Sequence, residues 1–378
     1  MRLPPLSLYI HIPWCIKKCP YCDFNSHALK EAIPEKNYIN QLLFDLKTQM
    51  QYVQNRPIHS IFIGGGTPSL FSPDAYAALF KNLREQLDIS NNIEITLEAN
   101  PGVIDAEKFK GYYEAGINRL SIGVQSFQDT QLEKLGRIHQ SNQAKQAILL
   151  AKQVGFKRIN IDLMFGLPNQ TIEDALFDLN EGIKLAPSHL SWYQLTIEPN
   201  TFFYRFPPKL PNDDMRFTMQ KLGQALLMKN KFNQYEISAY GFNQDQSQHN
   251  LNYWLFGDYL GMGAGAHAKY TDLKNCAIIR RSNTKHPTQY LNATQHNLCE
   301  TKIISQQALP LEFLMNVLRL NQHTDIKIFK ERTGLALDSI KNALKIASNS
   351  DLLYIRDNQF QLTTQGRLFL NDVLELFL

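Results

Sequence analysis

Hydrophobic and polar positions alternate along the first part of the chain so that strands and helices are predicted in turn. Short apolar runs rich in branched and aromatic residues predict strands over 6–12, 59–66, 93–98, 119–125, 158–166 and 189–197. Between these runs, apolar residues recur at helical spacing over 36–53, 73–87, 104–115, 141–154 and 171–185. Six such repeats are typical of parallel βα units, and both a doubly wound open sheet and a partial barrel agree with that number.

The pattern changes after residue 200. A proline-rich break at 206–214 precedes a predicted helix, and the stretch 235–270 is rich in Gly, Asn, His and aromatic residues. Helical spacing returns near residue 307, and the chain closes with a short hairpin pattern and a last helix, which predicts a small, mostly helical, winged-helix-like domain. We therefore predict a core over 1–230, a connecting region over 231–300 and a C-terminal domain over 301–378.

Composition and charge narrow the classes of function. Hydrophobic residues make up 44% of the 378 residues, so a large core is available. The net charge of +4 comes from 39 basic and 35 acidic residues that are mixed along the chain, which argues against a nucleic-acid-binding surface. No apolar run approaches the roughly 20 residues of a membrane span, and the N-terminus lacks a signal-peptide pattern, so we expect a cytoplasmic protein.

Three of the five cysteines fall in "HIPWCIKKCPYCDF", with the spacing C-x3-C-x2-C. In a reducing compartment such a cluster favours a metal or redox site over disulfides. Two interpretations stay open on the residues alone. A structural zinc ion needs four ligands, and His11 or His27 would be the fourth. An iron–sulfur cluster on three cysteines instead leaves one iron open for a small ligand.

Further polar motifs follow the predicted strands. "GGGTPS" at 64–69 follows the second strand, and it indicates either a backbone that approaches a ligand or a tight turn before a capped helix. Glu98, Gln125 and Asp162 lie at the ends of successive strands, where the carboxyl ends of a parallel sheet meet. They predict a ring of polar side chains around a ligand that carries amines and hydroxyls. Arg137 is a candidate cation for a ligand carboxylate, although an exposed helical arginine is the commoner outcome.

The cysteine triplet and the GGGTP loop resemble the radical S-adenosylmethionine superfamily. That resemblance implies an α/β fold with a partial (β/α)6 TIM-type barrel. It also implies that Cys15, Cys19 and Cys22 hold a 4Fe–4S cluster whose open iron chelates the amino and carboxylate groups of S-adenosylmethionine. By position, the residues implied to contact S-adenosylmethionine are Tyr9, Tyr21, Gly65, Gly66, Thr67, Glu98, Gln125, Arg137 and Asp162, with a backbone contact from Thr196.

The motifs "GGGTPSL", "LEANPG", "RLSIGVQSF", "LGRIH" and "IDLMFGLP" are similar to those of the oxygen-independent coproporphyrinogen III oxidases and their HemW-type relatives. The likeness extends over essentially the whole chain. Three features favour the heme-chaperone branch: the short segment before Cys15, Phe24 in the place of a further cysteine, and "HNLNYW" at 249–254. The nearby "GMGAGAH" at 261–267 also fits that branch.

This branch implies a heme carrier. Heme would be ligated by His249, with His267 as the weaker candidate, and Tyr253 and Trp254 would stack on the porphyrin beside Asn250. The resemblance further implies delivery of heme to acceptors such as membrane respiratory enzymes, dimerisation promoted by the cluster, and at most peripheral membrane contact. The alternative is an oxygen-independent coproporphyrinogen III oxidase, an enzyme of heme biosynthesis.

Overall fold

A computed structural model describes residues 1–103 and 105–378. The first 230 residues hold strands and helices in regular alternation, with additional short 3-10 turns. In chain order they are β1 (Leu6–Ile12), β2 (Trp14–Cys15), β3 (His27–Ala28), α1 (Glu35–Gln49), β4 (Ile58–Gly65), α2 (Pro73–Gln86), β5 (Glu94–Ala99), α3 (Ala106–Glu114), β6 (Arg119–Gln125), α4 (Asp129–Lys134), α5 (Ser141–Val154), β7 (Arg158–Phe165), α6 (Ile172–Lys184), β8 (His189–Gln194), α7 (Phe202–Arg205) and α8 (Asp213–Lys229).

The remainder of the chain begins with further strands and ends with a helical region. Its elements are β9 (Phe232–Gln234), β10 (Ala239–Phe242), α9 (Gln248–Trp254), β11 (Asp258–Met262), β12 (His267–Asp272), β13 (Ala277–Asn283), α10 (Pro287–Leu291), β14 (Cys299–Ile303), α11 (Leu309–Val317), β15 (Thr324–Asp325), α12 (Lys327–Thr333), α13 (Asp338–Asn349), β16 (Leu353–Arg356), β17 (Gln359–Leu362), α14 (Thr364–Leu368) and α15 (Leu370–Glu375).

The six predicted βα repeats are confirmed. Strands β1, β4, β5, β6, β7 and β8 lie side by side in this order, and each pairs in parallel with the next. Side-chain caps fix where several helices begin: Ser72 accepts a hydrogen bond from the N–H of Ala75, and Thr171 and Asp174 form a capping box. The first residue of the helix predicted over 104–115 lies outside the described residues, and α3 begins at Ala106.

The sheet extends beyond the six repeats on both sides. Strand β11 pairs in parallel with β1, and β12, β13 and β14 continue the sheet with antiparallel pairing. On the other side β10 pairs with β8 and β9 is the last strand. The sequence pattern predicted none of the strands β9 to β14. As a result β1 has a neighbour on each side, and its carboxyl end lies in the interior of a 12-stranded sheet.

The C-terminal region has a hydrophobic core of its own, which includes Phe313, Phe329 and Leu353. Its helices pack around a three-stranded antiparallel sheet in the order β15-β17-β16, which agrees with the predicted mostly helical, winged-helix-like domain. The division at residues 230 and 300 stays a prediction. In the described part of the chain, no helix is both long and apolar enough to cross a membrane.

A buried carboxylate fixes the start of β11. The carboxylate of Asp258 is inaccessible to solvent and accepts hydrogen bonds from Lys269 Nζ at 2.9 Å and Arg56 Nη1 at 2.8 Å. Thr271 donates its N–H and its hydroxyl at 2.9 Å each. Burial by itself would raise the pKa of Asp258, but Lys269 and Arg56 outweigh burial and hold the pKa below its ordinary value. This group therefore ties the N-terminal half to the added strands.

Asp258→Asn should destabilise the protein at neutral pH by about 3 kcal/mol, because it leaves Lys269 buried without a counter-charge. The lowered pKa means that the contribution of Asp258 is complete above the ordinary aspartate pKa, near 4, and is lost as the pH falls below it. Urea unfolding at pH 7 and near pH 3 measures both effects, with the exposed Asp88→Asn as the matched control. If the difference in unfolding free energy between wild type and Asp258→Asn were as large near pH 3 as at pH 7, this account would be contradicted.

Candidate functional site

Two neighbouring cavities lie at the carboxyl ends of the parallel strands. The first, here the cysteine cavity, has a volume of about 540 Å³ and contains the three clustered cysteines together with side chains from β5 to β8. The second, here the HNLNYW cavity, has a volume of about 720 Å³ and contains side chains of α9 and β1. The residues that line both cavities are Asp23, Phe24, Ser26, Phe62, Gly65, Glu98 and Asn250.

The loop after β1 places the three cysteines at the cysteine cavity. Strand β2 carries Cys15 and pairs with β3, and the N–H of Thr67 donates to the carbonyl oxygen of Trp14 at 2.7 Å. Cys15 is buried, whereas Cys19 and Cys22 are half-buried, and each is a free thiol. The loop is therefore held by main-chain hydrogen bonds, and its thiols face a common space.

Arg137 lies beside this loop. Its Nη1 is 3.6 Å from Cys19 Sγ, and its Nη2 donates to the carbonyl oxygen of Gly123 at 2.7 Å. The buried Nε has no hydrogen-bond acceptor among the described residues. Arg137 is thus not the exposed helical arginine that the sequence left as the commoner outcome. A half-buried cation beside the Cys19 sulfur and lining the cavity is well suited to an anionic group.

The glycines at the end of β4 permit a close approach to β1 and the cysteine loop. Gly65 has a φ of 121°, and a Cβ there would lie 2.7 Å from the His11 ring. A Cβ on Gly66 would lie 2.5 Å from the carbonyl oxygen of Trp14 and 3.0 Å from Cys15 Sγ. No larger residue fits at either position without displacing the cysteine loop. The glycine loop thus packs directly against the cysteine loop, and Thr67 lines the same cavity.

Polar side chains at the ends of β5, β6 and β7 point into the cysteine cavity. Glu98 accepts a hydrogen bond from the N–H of Gly65 at 3.0 Å. Asp162 accepts from Asn160 Nδ2 at 2.8 Å. Gln125 has a φ of 72° at an irregularity in the pairing of β6 with β7, which turns its amide toward Tyr193. The cavity thus presents carboxylate and amide groups from three neighbouring strands.

Burial changes the proton affinity of these carboxyl groups. Burial, with a smaller effect from the nearby Asp162, raises the pKa of Glu98 to about 8. Burial likewise raises the pKa of Asp162, although its hydrogen bonds oppose the shift. Glu98 therefore carries a proton at neutral pH when the cavity holds no cationic ligand.

Several residues of the cavity were not predicted from the sequence. They lie on the same strands as the predicted residues or on the next strand, and they are Arg119, Ser121, Asn160, His189, Ser191 and Tyr193. Alternate residues of a strand face the same side, so Asn160 faces the same side of β7 as Asp162. On β6 the irregularity between Gly123 and Gln125 interrupts this alternation. Period-two spacing back from Asp162 identifies Asn160.

The structure separates one predicted residue from the others. Tyr21 and Thr196 line the cysteine cavity, and Tyr21 packs against Phe203. Tyr9 instead lines the HNLNYW cavity, where its hydroxyl is 2.9 Å from His11 Nδ1. Of the residues predicted for S-adenosylmethionine, Tyr9 is therefore placed on the far side of the shared wall.

The helix α9 carries the HNLNYW motif and is held at its N-terminus by a buried carboxylate. Glu94 accepts hydrogen bonds from the N–H groups of Gln248 and His249 at 3.0 Å each, and Ser247 caps the helix. A carboxylate at the positive end of a helix is favourable. Asn252 on the same helix donates to Ser7 Oγ at 2.9 Å, which fixes α9 against β1.

His249 has one ring nitrogen held and the other available. Its Nδ1 is 3.1 Å from Ser60 Oγ, and among the described residues no hydrogen-bond partner lies at Nε2. Burial lowers the pKa of His249 to about 4, so the imidazole is neutral at pH 7. Its ring lies 5.2 Å from that of Phe62, centroid to centroid. A neutral imidazole with a free nitrogen facing a cavity is the form that binds a metal ion.

The remaining residues of the motif add aromatic surface. Tyr253 and Trp254 line the HNLNYW cavity and pack edge to face, with centroids 4.8 Å apart. Arg319 from the C-terminal side lies over the Trp254 ring at 4.5 Å. Asn250 faces both cavities. His267, the weaker predicted ligand, also lines the HNLNYW cavity but is exposed.

The two histidines considered as a fourth zinc ligand, His11 and His27, already make hydrogen bonds within the protein. Both ring nitrogens of His11 make hydrogen bonds, to Tyr9 Oη at 2.9 Å and to the carbonyl oxygen of Asn25 at 2.8 Å. His27 Nε2 lies 3.3 Å from Asn25 Oδ1. Across the described ranges 1–103 and 105–378, no three His, Cys, Asp or Glu side chains are grouped as ligands of a single metal ion.

Comparison with known proteins agrees with the motifs. The family models for the Radical SAM superfamily and the HemN C-terminal domain match residues 9–180 and 304–369. The heme chaperone HemW of Haemophilus influenzae is 52% identical, with 100% of this chain and 99% of that protein covered. The heme chaperone HemW of Escherichia coli is 48% identical at the same coverage.

The chain belongs to the HemW family of the radical SAM superfamily.

Membership in the HemW family agrees with the fold as well. The structure of coproporphyrinogen III oxidase (HemN) from Escherichia coli, titled a radical SAM enzyme, superimposes with a TM-score of 0.84. The match covers 99% of this chain and 90% of that one at 24% sequence identity, which shows a shared fold alone. The superfamily implies a 4Fe–4S cluster and S-adenosylmethionine. The cysteine cavity fits both groups: it has three thiols, a buried Arg137 Nε without a hydrogen-bond partner among the described residues, and the space left by the missing side chain of Gly66.

Glu98→Gln should remove a pH dependence from the stability of the cluster-free protein. Because the pKa of Glu98 is raised to about 8, the folded chain keeps a proton that the unfolded chain loses above about pH 4.3. The free energy of unfolding of the wild type therefore falls as the pH rises between these values, and the variant lacks this component. Urea unfolding at pH 5.5 and 8.5 measures it, with the exposed Glu85→Gln as the control. The same pH slope in wild type and Glu98→Gln would refute the assignment.

Proposed function

We propose that this chain is a heme chaperone that binds heme in the HNLNYW cavity and passes it to acceptor proteins. The observation that carries the proposal is the neutral His249, which lines a cavity with several aromatic rings and whose Nε2 has no hydrogen-bond partner among the described residues. The names of the relatives, heme chaperone HemW, support the same function over full-length alignments. A 4Fe–4S cluster and S-adenosylmethionine would occupy the adjoining cysteine cavity.

The surroundings of His249 suit a heme ligand. Ser60 Oγ at Nδ1 orients the ring, as outer hydrogen bonds do for metal-bound histidines. Ser60 is in turn fixed by Ser7 Oγ at 2.8 Å. Tyr253 and Trp254 supply flat apolar surface, and the volume of about 720 Å³ lies in the range of small-molecule and cofactor sites. The ring of His249 therefore needs no rearrangement of its own hydrogen bonds to bind iron.

The cysteine cavity is proposed as the second cofactor site. Cys15, Cys19 and Cys22 would hold the cluster, and Arg137, Glu98 and the other strand-end residues would contact S-adenosylmethionine. When bound, the cluster would supply an open iron and one-electron chemistry. The half-buried Arg137 guanidinium would offset negative charge on cluster-bound thiolates, because it lies beside Cys19 Sγ.

Residues in the shared wall link the two sites. Phe24, Glu98 and Asn250 each line both cavities, so the two proposed cofactors would lie on either side of these three side chains. We propose that the protein works in the cytoplasm and that its acceptors include membrane respiratory enzymes, reached by at most peripheral membrane contact.

Dimerisation promoted by the cluster is a further proposal, and size-exclusion chromatography before and after cluster removal tests it.

The central experiment pairs two assays on one anaerobic preparation. Heme binding and transfer to an apo-acceptor tests the chaperone function, and incubation with coproporphyrinogen III tests the alternative oxidase activity. We expect saturable heme binding and transfer without turnover of coproporphyrinogen. Decarboxylation of coproporphyrinogen together with no heme transfer would reject the chaperone function.

His249→Ala should weaken heme binding at least tenfold, because it removes the proposed iron ligand. The change leaves the cysteine loop untouched, so iron and sulfide content should equal that of the wild type. Absorption titration with heme provides the affinity, and the exposed His323→Ala serves as the control. Identical heme spectra and affinities in wild type and His249→Ala would exclude this ligand.

Cys19→Ala should abolish the cluster and leave heme affinity within about twofold, because the thiol lines the cysteine cavity and is absent from the HNLNYW cavity. Iron and acid-labile sulfide are measured after anaerobic reconstitution. The exposed Cys276→Ala should retain both. Zinc without sulfide in the reconstituted wild type would overturn the cluster and support the structural zinc site.

A further inference from the structure

The HNLNYW cavity has two chemically different sides. One side is formed by α9, β1 and β4, and it carries His249 and the rings of Tyr9, Phe62 and Tyr253. Another part of the lining is formed by the cysteine loop and the segment after β13, and it carries two exposed lysines, Lys18 and Lys285. The lining therefore combines an imidazole and aromatic rings with two cations at the exposed rim.

Hydrogen bonds bring the two lysines to the same part of the rim. Lys18 Nζ donates to the carbonyl oxygen of Phe24 at 3.1 Å. The next residue, Asn25, donates from Nδ2 to the carbonyl oxygen of Lys285 at 2.9 Å and to that of Ala264 at 2.9 Å. Asn25 thus joins the cysteine loop to the segment that carries Lys285, so that the two lysines flank one junction.

Neither lysine has a carboxylate partner within 4.0 Å among the described residues, since neither forms a salt bridge in that part of the chain. The acidic residues that line the cavity are Asp23, which is exposed, and Glu98 in the shared wall. The rim thus offers two ammonium groups without a fixed counter-charge.

Heme has a matching polarity, because both of its propionates project from one edge of the macrocycle while the opposite edge is apolar. We propose that Lys18 and Lys285 bind these two propionates, so that heme lies with its carboxylate edge at the rim and its apolar edge among the aromatic rings. The assignment rests on the proposed function and defines its ligand as a porphyrin with free propionates.

Exposed ion pairs contribute less than about 1 kcal/mol each, because water screens them. Two such pairs orient the ligand and add modestly to its affinity, and they are easily exchanged for water. This is the behaviour that a carrier needs when it must release heme to another protein. Burying both propionates against arginines would give tighter binding and slower release.

The test compares heme with heme dimethyl ester, in which both propionates are neutral. Wild type, Lys18→Ala, Lys285→Ala and the double variant are titrated with each compound in the same detergent-containing buffer. For heme, we expect the Kd to rise about threefold for each single variant and about tenfold for the double variant. For the dimethyl ester, the same substitutions should leave the Kd unchanged, since no carboxylate is present to pair with lysine.

A matched control removes the same total charge elsewhere. Lys30→Ala/Lys302→Ala replaces two exposed lysines that do not line the cavity, and it should bind heme as the wild type does. Because Lys18 lies between Cys15 and Cys19, iron and sulfide are measured for every variant. Lys285→Ala lies outside the cysteine loop and tests the assignment by itself.

Equal losses for heme and its dimethyl ester would overturn the assignment, because the lysines would then act on the shape of the cavity and not on the propionates. Unchanged heme affinity in Lys285→Ala would overturn it as well. Failure of the wild type to bind heme at all would refute the proposed function, which is a different outcome from heme binding that does not depend on the lysines.

Discussion

The position of β1 between β4 and β11 is the constraint on which the arrangement of both cavities depends. Parallel pairing on each side fixes the direction of β1, so its carboxyl end and the cysteine loop emerge between the six-repeat part of the sheet and the added strands. On one side the loop meets the glycines after β4, and on the other it meets the segment after β13 through Asn25. A shift of β11 along β1 would move α9 away from the cysteine loop, because α9 leads directly into β11.

This arrangement also explains the unusual buried charges. Asp258 at the start of β11 and Glu94 on β5, which accepts the first N–H groups of α9, are both buried carboxylates, and both have lowered pKa values despite their burial. They hold non-local elements together. Glu98, four residues from Glu94 on the same strand, forms no salt bridge among the described residues and has a raised pKa. The two carboxylates of this strand thus differ in their surroundings: Glu94 is held by hydrogen bonds within the fold, whereas Glu98 is proposed to contact a ligand.

The sequence predicted the repeating part of the fold well, because each βα unit is recorded locally as a short apolar run followed by helical spacing. It did not predict β11, whose partner β1 is distant in the chain and whose Gly261 is required by close contact with β12. In the site, strand-end residues such as Asp162 could be found from position alone. Tyr193 and the separate location of Tyr9 could not, because they depend on which strand face turns toward which cavity.

The claim that two metal centres occupy adjoining cavities is tested most directly by an anaerobic crystal structure of the reconstituted, heme-loaded protein, with iron located by anomalous scattering. The account predicts one iron group at Cys15, Cys19 and Cys22 and a separate iron within bonding distance of His249 Nε2, with Phe24 and Asn250 between them. Heme iron bound outside the HNLNYW cavity, or one iron centre shared by the cysteines and the heme, would contradict it.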